Sequence, residues 1–148
     1  MPLVPLVYLA AVSVPLAVTD ARTSRLPNTL VVPGLAVLAW AVLGVGAHDL
    51  GRALSALVSC SGAAVVFGGG WRCRAVGMGD VKLAVLLAGV AALTDARVLT
   101  NSAVAAALLT VGAAAGARRR GRASACRIPL GPPLLAGFWW GAYATWLG

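Results

Sequence analysis

Near the middle of the chain lies the stretch Gly77-Met78-Gly79-Asp80-Val81-Lys82-Leu83, which opens a long apolar run. An ionised carboxylate in or beside hydrocarbon is costly, so an aspartate in this position is a functional-site hypothesis. The two glycines lack a Cβ, which lets the backbone bend or approach another segment closely. Asp80 is therefore a candidate site residue, and the hypothesis becomes strong only if a second acid lies at the same membrane face.

The composition is that of a membrane protein. Of the 148 residues, 60% are hydrophobic and only 11% are charged, whereas about a quarter are charged in a typical soluble domain. Spanning a bilayer takes about 20 apolar residues, and helices satisfy their own backbone polar groups there. Six stretches are long enough: 3–19, 29–47, 53–70, 75–93, 98–117 and 130–147. We predict an all-α, polytopic transmembrane bundle of about six spans, forming one domain over residues 1–148.

The positive charges predict how this bundle is oriented. Ten of the twelve Lys and Arg residues fall in segments 22–25, 72–82 and 118–127, and the other two, Arg52 and Arg97, lie in the intervening turns. This alternation is typical of the positive-inside rule and places both termini outside. The net charge of +8 is thus a topology signal, with attraction to anionic lipid headgroups, and it does not indicate nucleic-acid binding. We expect a multi-pass protein of a bacterial cytoplasmic membrane.

A second acid is predicted at the same face as Asp80. All four acids are aspartates: Asp20, Asp49, Asp80 and Asp95. In the predicted topology the first helix reaches the cytosolic face at Asp20, where the fourth helix begins with Asp80. The other two fall in outer turns and are expected to be solvated turn residues.

Two carboxylates close together cannot both be ionised cheaply, so they tend to share one proton. One can then take a proton from water while the other donates one to a substrate carbonyl, as in aspartic proteases. An alternative is that Asp20 pairs with Arg22 or Arg25, and Asp80 with Lys82, as interfacial anchors. The three cysteines are widely spaced, which gives no support for a metal site or a disulfide framework.

Three segments, in this order, resemble the prepilin peptidases, also called type IV leader peptidases, which are membrane aspartic proteases of the Gly-x-Gly-Asp type. The first is Asp20-x-Arg22 followed by Leu26-Pro27-Asn28-x-Leu30, the second is the stretch from Gly77 to Leu83, and the third is Ile128-Pro129-Leu130-Gly131-Pro132. The resemblance implies that Asp20 and Asp80 are the catalytic pair. It further implies removal of the basic leader from prepilins or pseudopilins at the cytosolic membrane face, without a metal or cofactor.

The resemblance gives supporting roles to nine further residues: Gly77, Gly79, Lys82, Arg22, Pro27, Asn28, Pro129, Gly131 and Pro132. Lys82 is expected to tune Asp80 or to meet a lipid phosphate. Proline fixes φ and asparagine favours a turn or a helix cap, so Pro27 and Asn28 are expected to shape the loop after Asp20. The two glycines before Asp80 are expected to act through backbone conformation.

The chain also departs from the family pattern. Leu130 stands where the family usually has Phe, and Pro133 follows where another Phe is common, which puts packing at the start of the last helix in question. The cytosolic segment with paired cysteines found in bifunctional members is missing, so we predict a peptidase without N-methyltransferase activity, similar to the small members of Flp- or Tad-like systems. Two alternatives are an inactive homologue that serves as a membrane assembly component of a pilus or secretion system, and a transporter using Asp80 as an ion site.

Overall fold

The computed structural model describes residues 3–23, 28–72, 77–119 and 130–147. Over these ranges every regular element is an α-helix, and there is no strand. The helices are α1 (Leu3–Thr23), α2 (Asn28–Gly46), α3 (Leu50–Arg72), α4 (Met78–Thr94), α5 (Ala96–Arg119) and α6 (Gly131–Leu147). The all-α prediction is confirmed, and each helix corresponds to one of the six predicted apolar stretches.

Three of the helices are long and apolar enough to cross a membrane, by length and composition. The qualifying segments are Leu3–Asp20, Thr29–Gly46 and Leu50–Arg72. In α5 the apolar part is the shorter segment Ala96–Gly112. The remaining helices, α4 and α6, have 17 residues each, which corresponds to about 26 Å at 1.5 Å per residue. These helices indicate a multi-pass membrane protein, while six complete crossings and the outward position of both termini stay predictions.

Helices α3 and α5 begin a few residues earlier than the hydropathy pattern predicts, because an aspartate caps each of them. The backbone N–H of Arg52 donates to Asp49 Oδ1 at 2.9 Å, and that of Arg97 donates to Asp95 Oδ1 at 2.7 Å. A side-chain oxygen at the N-cap satisfies amides that have no partner inside the helix. Both aspartates are exposed, which confirms the prediction that they are solvated turn residues.

Helix α4 is the centre of the bundle and packs against all five other helices. Buried residues occupy every side of it, among them Leu83, Leu86, Leu87 and Val90. The other helices follow one another around α4 in the order α3, α2, α1, α6, α5, each in contact with the next. Within the described residues α3 and α5 make no contact. The five outer helices therefore form a ring that is open between α3 and α5.

Glycines allow the closest helix contact, that between α5 and α6. A Cβ at Gly137 would lie 2.4 Å from the backbone nitrogen of Ala106, and one at Gly141 would lie 2.3 Å from that of Ser102. Small residues of this kind let helix backbones approach each other within a membrane. These pairings also show that α5 and α6 run antiparallel, and the Ser102 hydroxyl adds a hydrogen bond to the Phe138 carbonyl oxygen at 3.1 Å.

Candidate active site

Asp20 lies in the last turn of α1, and its carboxylate is held by the start of α6. Its side chain is 3% exposed. The backbone N–H of Gly131, the first residue of α6, donates to Asp20 Oδ2 at 2.9 Å. The first amides of a helix lack partners within the helix, and the positive end of the helix dipole favours a negative group. The α1 carboxylate therefore caps α6.

The sequence of α6 leaves this capping bond to Gly131 alone. The next two residues, Pro132 and Pro133, have no N–H, which is tolerated in the first turn of a helix because those amides have no helical partner. The N–H of Leu134 already donates to the Leu130 carbonyl oxygen at 3.0 Å. Leu130 itself is buried, so the departures at Leu130 and Pro133 are compatible with a packed start of α6.

Gly131 also has to be small for Asp20 to reach it. A Cβ at this position would lie 2.5 Å from Asp20 Oδ2 and 3.0 Å from its Cγ. The resemblance of the last motif to the family pattern singled out Gly131, but the sequence did not reveal its contact with Asp20. The two residues are 111 positions apart, and the order of the motifs was the only signal that linked them.

Asp80 lies in the first turn of α4 and is 6% exposed. Its Oδ2 accepts a hydrogen bond from the backbone N–H of Gly77 at 3.1 Å, while its own N–H donates to the Gly77 carbonyl oxygen at 3.1 Å. The carboxylate thus reaches back to the N-cap residue, as the acid of a capping box does. This reciprocal pair joins the preceding segment to the helix and orients the side chain.

Gly77 has an ordinary backbone conformation, with φ −76° and ψ 148°. Any L-residue can adopt these angles, so unusual torsion does not account for glycine here. The constraint is one of space, because a Cβ would lie 3.0 Å from Asp80 Oδ2. At Gly77 the structure therefore indicates a steric requirement, while Gly79 lies half-buried in the first turn of α4.

The helices carrying the two acids are in contact. Helix α4, which carries Asp80, packs against α1, which carries Asp20, and against α6, whose first turn Asp20 caps. Of the four aspartates, Asp20 and Asp80 are buried, and Asp49 and Asp95 are exposed. The bundle therefore buries the two carboxylates that the sequence placed at one face, each at a helix end and each bonded to a backbone amide.

The structure places the other predicted site residues as follows. Lys82 is half-buried on α4, and Pro132 is the second residue of α6. The backbones of Arg22 and Asn28 belong to α1 and α2, and their side chains lie outside the description. Pro27 and Pro129 lie outside the described residues altogether, as does Arg25. Pairing of Asp20 with either arginine therefore stays an alternative from the sequence.

Comparison with known protein families identifies a match over most of the chain. The type IV leader peptidase family matches residues 7–114, which is well over half of the chain and includes both Asp20 and the stretch from Gly77 to Leu83. The match ends before the Ile128-Pro129-Leu130-Gly131-Pro132 segment. The chain matches no curated protein and no solved structure. From the extent of the family match, we conclude that this chain belongs to the type IV leader peptidase family.

Proposed function

We propose that the protein is an aspartic endopeptidase that removes the basic leader from Flp- or Tad-like type IV prepilins or pseudopilins. The reaction takes place at the cytosolic face of a bacterial cytoplasmic membrane, and Asp20 and Asp80 are its catalytic residues. One observation carries the proposal: of four aspartates, these two alone are buried. Membership of a peptidase family supports the reaction class.

Burial of both carboxylates, on helices that pack against each other, suits general acid–base catalysis. Two carboxylates in one poorly solvated site do not both ionise cheaply, so in this proposal the pair shares one proton. The ionised member takes a proton from water as the water oxygen bonds to the scissile carbonyl carbon. The protonated member donates its proton to the carbonyl oxygen, which gives a diol. The first member then passes the proton it took from water to the amine nitrogen as the C–N bond breaks, and the second member takes a proton back from the diol to leave the new carboxyl group.

The backbone amides have a positioning role in this mechanism. The N–H of Gly131 holds Oδ2 of Asp20, and the N–H of Gly77 holds Oδ2 of Asp80. Each bond restricts the rotation of its carboxylate, so that the substrate meets acids that are already oriented. Such pre-organisation lowers the barrier because no rearrangement is needed as the reaction proceeds.

A set of four Asp→Asn variants tests the proposal. Membranes containing each variant are incubated with a Flp-type prepilin, and loss of the leader is followed by gel shift and mass. Asp20→Asn and Asp80→Asn keep the side-chain shape but cannot exchange the proton, so we expect cleavage to be abolished with the protein still in the membrane.

Asp49→Asn and Asp95→Asn are the matched controls, because asparagine caps helices as well as aspartate does. They are expected to cleave at the wild-type rate. Cleavage by Asp20→Asn or Asp80→Asn would overturn the mechanism. Absence of cleavage by the wild-type protein against several prepilins would favour the inactive homologue that acts in assembly.

A further inference from the structure

The opening in the helix ring forms an apolar groove of about 580 Å³. Its floor is made by α4 and α6, with Ala84, Leu87 and Phe138 among the residues that line it. Its walls are α3 and α5, which do not touch within the described residues. The floor residues are buried, whereas wall residues such as Gly62 and Ala103 are exposed. The groove is therefore open on the side that faces away from the bundle.

One end of the groove lies next to the two acids. Ala84 lines the groove and follows Asp80 by four residues, one turn along the same face of α4. Leu134 also lines it and follows Gly131, the partner of Asp20, by three residues on α6. At 1.5 Å per residue these separations are about 6 Å and about 4.5 Å along the helix axes. The groove thus runs along the bundle and ends beside the candidate active site.

The spacing of the helices determines how large a molecule can occupy the groove. Packed helices lie about 8–10 Å apart, and six cylinders of equal diameter surround a seventh. Here five helices surround α4, and the ring is open at one place only among the described residues. The opening therefore corresponds to one missing helix. Much of its lining is glycine and alanine, including Gly62, Ala63 and Ala107, which permits close backbone approach in a membrane.

We propose that a single apolar helix of the substrate enters this groove sideways from the lipid and completes the ring around α4. The inner end of the bound helix then lies beside Asp20 and Asp80, so that the peptide bond cut is the one adjoining the helix. This inference rests on the proposed peptidase function. It identifies the opening between α3 and α5 as the part of the bundle that receives the substrate helix.

Binding can be measured without cleavage. The helix probe is an alanine- and leucine-rich peptide of about 20 apolar residues without a leader, reconstituted with the full-length protein in lipid vesicles. A photo-crosslinking residue is placed at Ala103, which lines the groove, or at Leu108, which is exposed but does not line it. We expect the probe to be crosslinked at Ala103 at least about tenfold more than at Leu108.

Two glycines of α3 provide a matched pair of blocking variants. A Cβ at Gly62 or at Gly69 would meet nothing within 4 Å, and both residues are exposed, but only Gly62 lines the groove. Gly62→Trp is expected to reduce crosslinking of the helix probe at Ala103 about tenfold. It should also reduce cleavage of a second probe, in which a lysine-rich leader precedes the same helix. Gly69→Trp is expected to change neither result.

The possible outcomes separate this inference from the proposed function. Equal crosslinking at the two α5 positions, or crosslinking that Gly62→Trp leaves unchanged, would overturn the groove assignment, whatever the Asp→Asn variants show. Products that join two copies of this chain, or lipid adducts alone, would overturn it as well, because the groove would then have another occupant. Crosslinking as expected, with no cleavage of the leader probe or of several prepilins by the wild-type protein, would retain the groove and reject the peptidase proposal.

Discussion

Oδ2 of Asp20 lies 2.9 Å from the backbone nitrogen of Gly131, the residue that opens α6. This bond ties the end of the first helix to the beginning of the last. It makes the position of one proposed catalytic acid depend on a residue that contributes no side chain.

Gly131→Ala should therefore impair cleavage. Its Cβ would lie 2.5 Å from the carboxylate oxygen of Asp20, so the acid has to move away. A displacement of about 1 Å at a reacting group can cost about 100-fold in rate, and we expect a loss of this order in initial cleavage rates measured at equal protein amounts. The control is Gly112→Ala on α5, where a Cβ meets nothing within 4 Å. A wild-type rate for Gly131→Ala would contradict the geometry.

Gly77→Ala should have a milder effect. The backbone angles of Gly77 suit alanine, and the added Cβ would lie 3.0 Å from Asp80 Oδ2, so a shift of a few tenths of an ångström relieves the contact. We expect the cleavage rate to fall by about tenfold or less, because the acid is displaced by a smaller distance than in Gly131→Ala. A larger loss than that of Gly131→Ala would mean that Gly77 has a function other than leaving space for Asp80.

Gly141→Ala should destabilise the bundle. The new Cβ would lie 2.3 Å from the backbone nitrogen of Ser102 and 2.5 Å from its Oγ, which forces α5 and α6 apart. Overpacking of this kind typically costs about 1–3 kcal/mol. Thermal unfolding in detergent, measured against Gly112→Ala, should show a lower midpoint. An unchanged midpoint would indicate that the two helices pack less closely than described.

The exposed aspartates should affect stability and leave catalysis unchanged. Removing a helix cap costs about 1 kcal/mol, so Asp49→Ala and Asp95→Ala should each lower the unfolding midpoint. Cleavage per folded molecule should be unchanged, because both side chains are exposed and only cap helix starts. A loss of specific activity in either variant would refute the division of the four aspartates into a buried and an exposed pair.

The sequence predicted the helices and singled out Asp20 and Asp80 as candidate site residues. Hydropathy and short motifs suffice for this, because they are signals that lie within each segment. Apolar stretches of sufficient length predicted each helix, and the alternation of positive charge singled out Asp20 and Asp80 by predicting one membrane face for both. The helix starts were less accurate, since hydropathy takes no account of the hydrogen bonds that the capping oxygens of Asp49 and Asp95 accept from backbone N–H groups. These caps extend α3 and α5 beyond their apolar stretches.

The contact of Asp20 with Gly131 and the opening between α3 and α5 were not predicted. Both depend on which helices become neighbours, and hydropathy gives the length of a span without giving its neighbours. The order of the motifs singled out Gly131 without indicating its partner. No pattern in α3 or α5 indicates that these two helices do not meet. Their many small residues would be equally compatible with direct contact.

The central position of α4 determines how its sequence can vary. On one side of α1, residues such as Val7 and Val14 face outward, so a random library should tolerate many apolar replacements there. From Leu83 to Leu93, by contrast, α4 is largely buried, and most of its residues are limited by volume as well as polarity. In a mutational scan the intolerant positions of α1 should be separated by tolerant ones, whereas those of α4 should form a nearly continuous segment that follows Asp80.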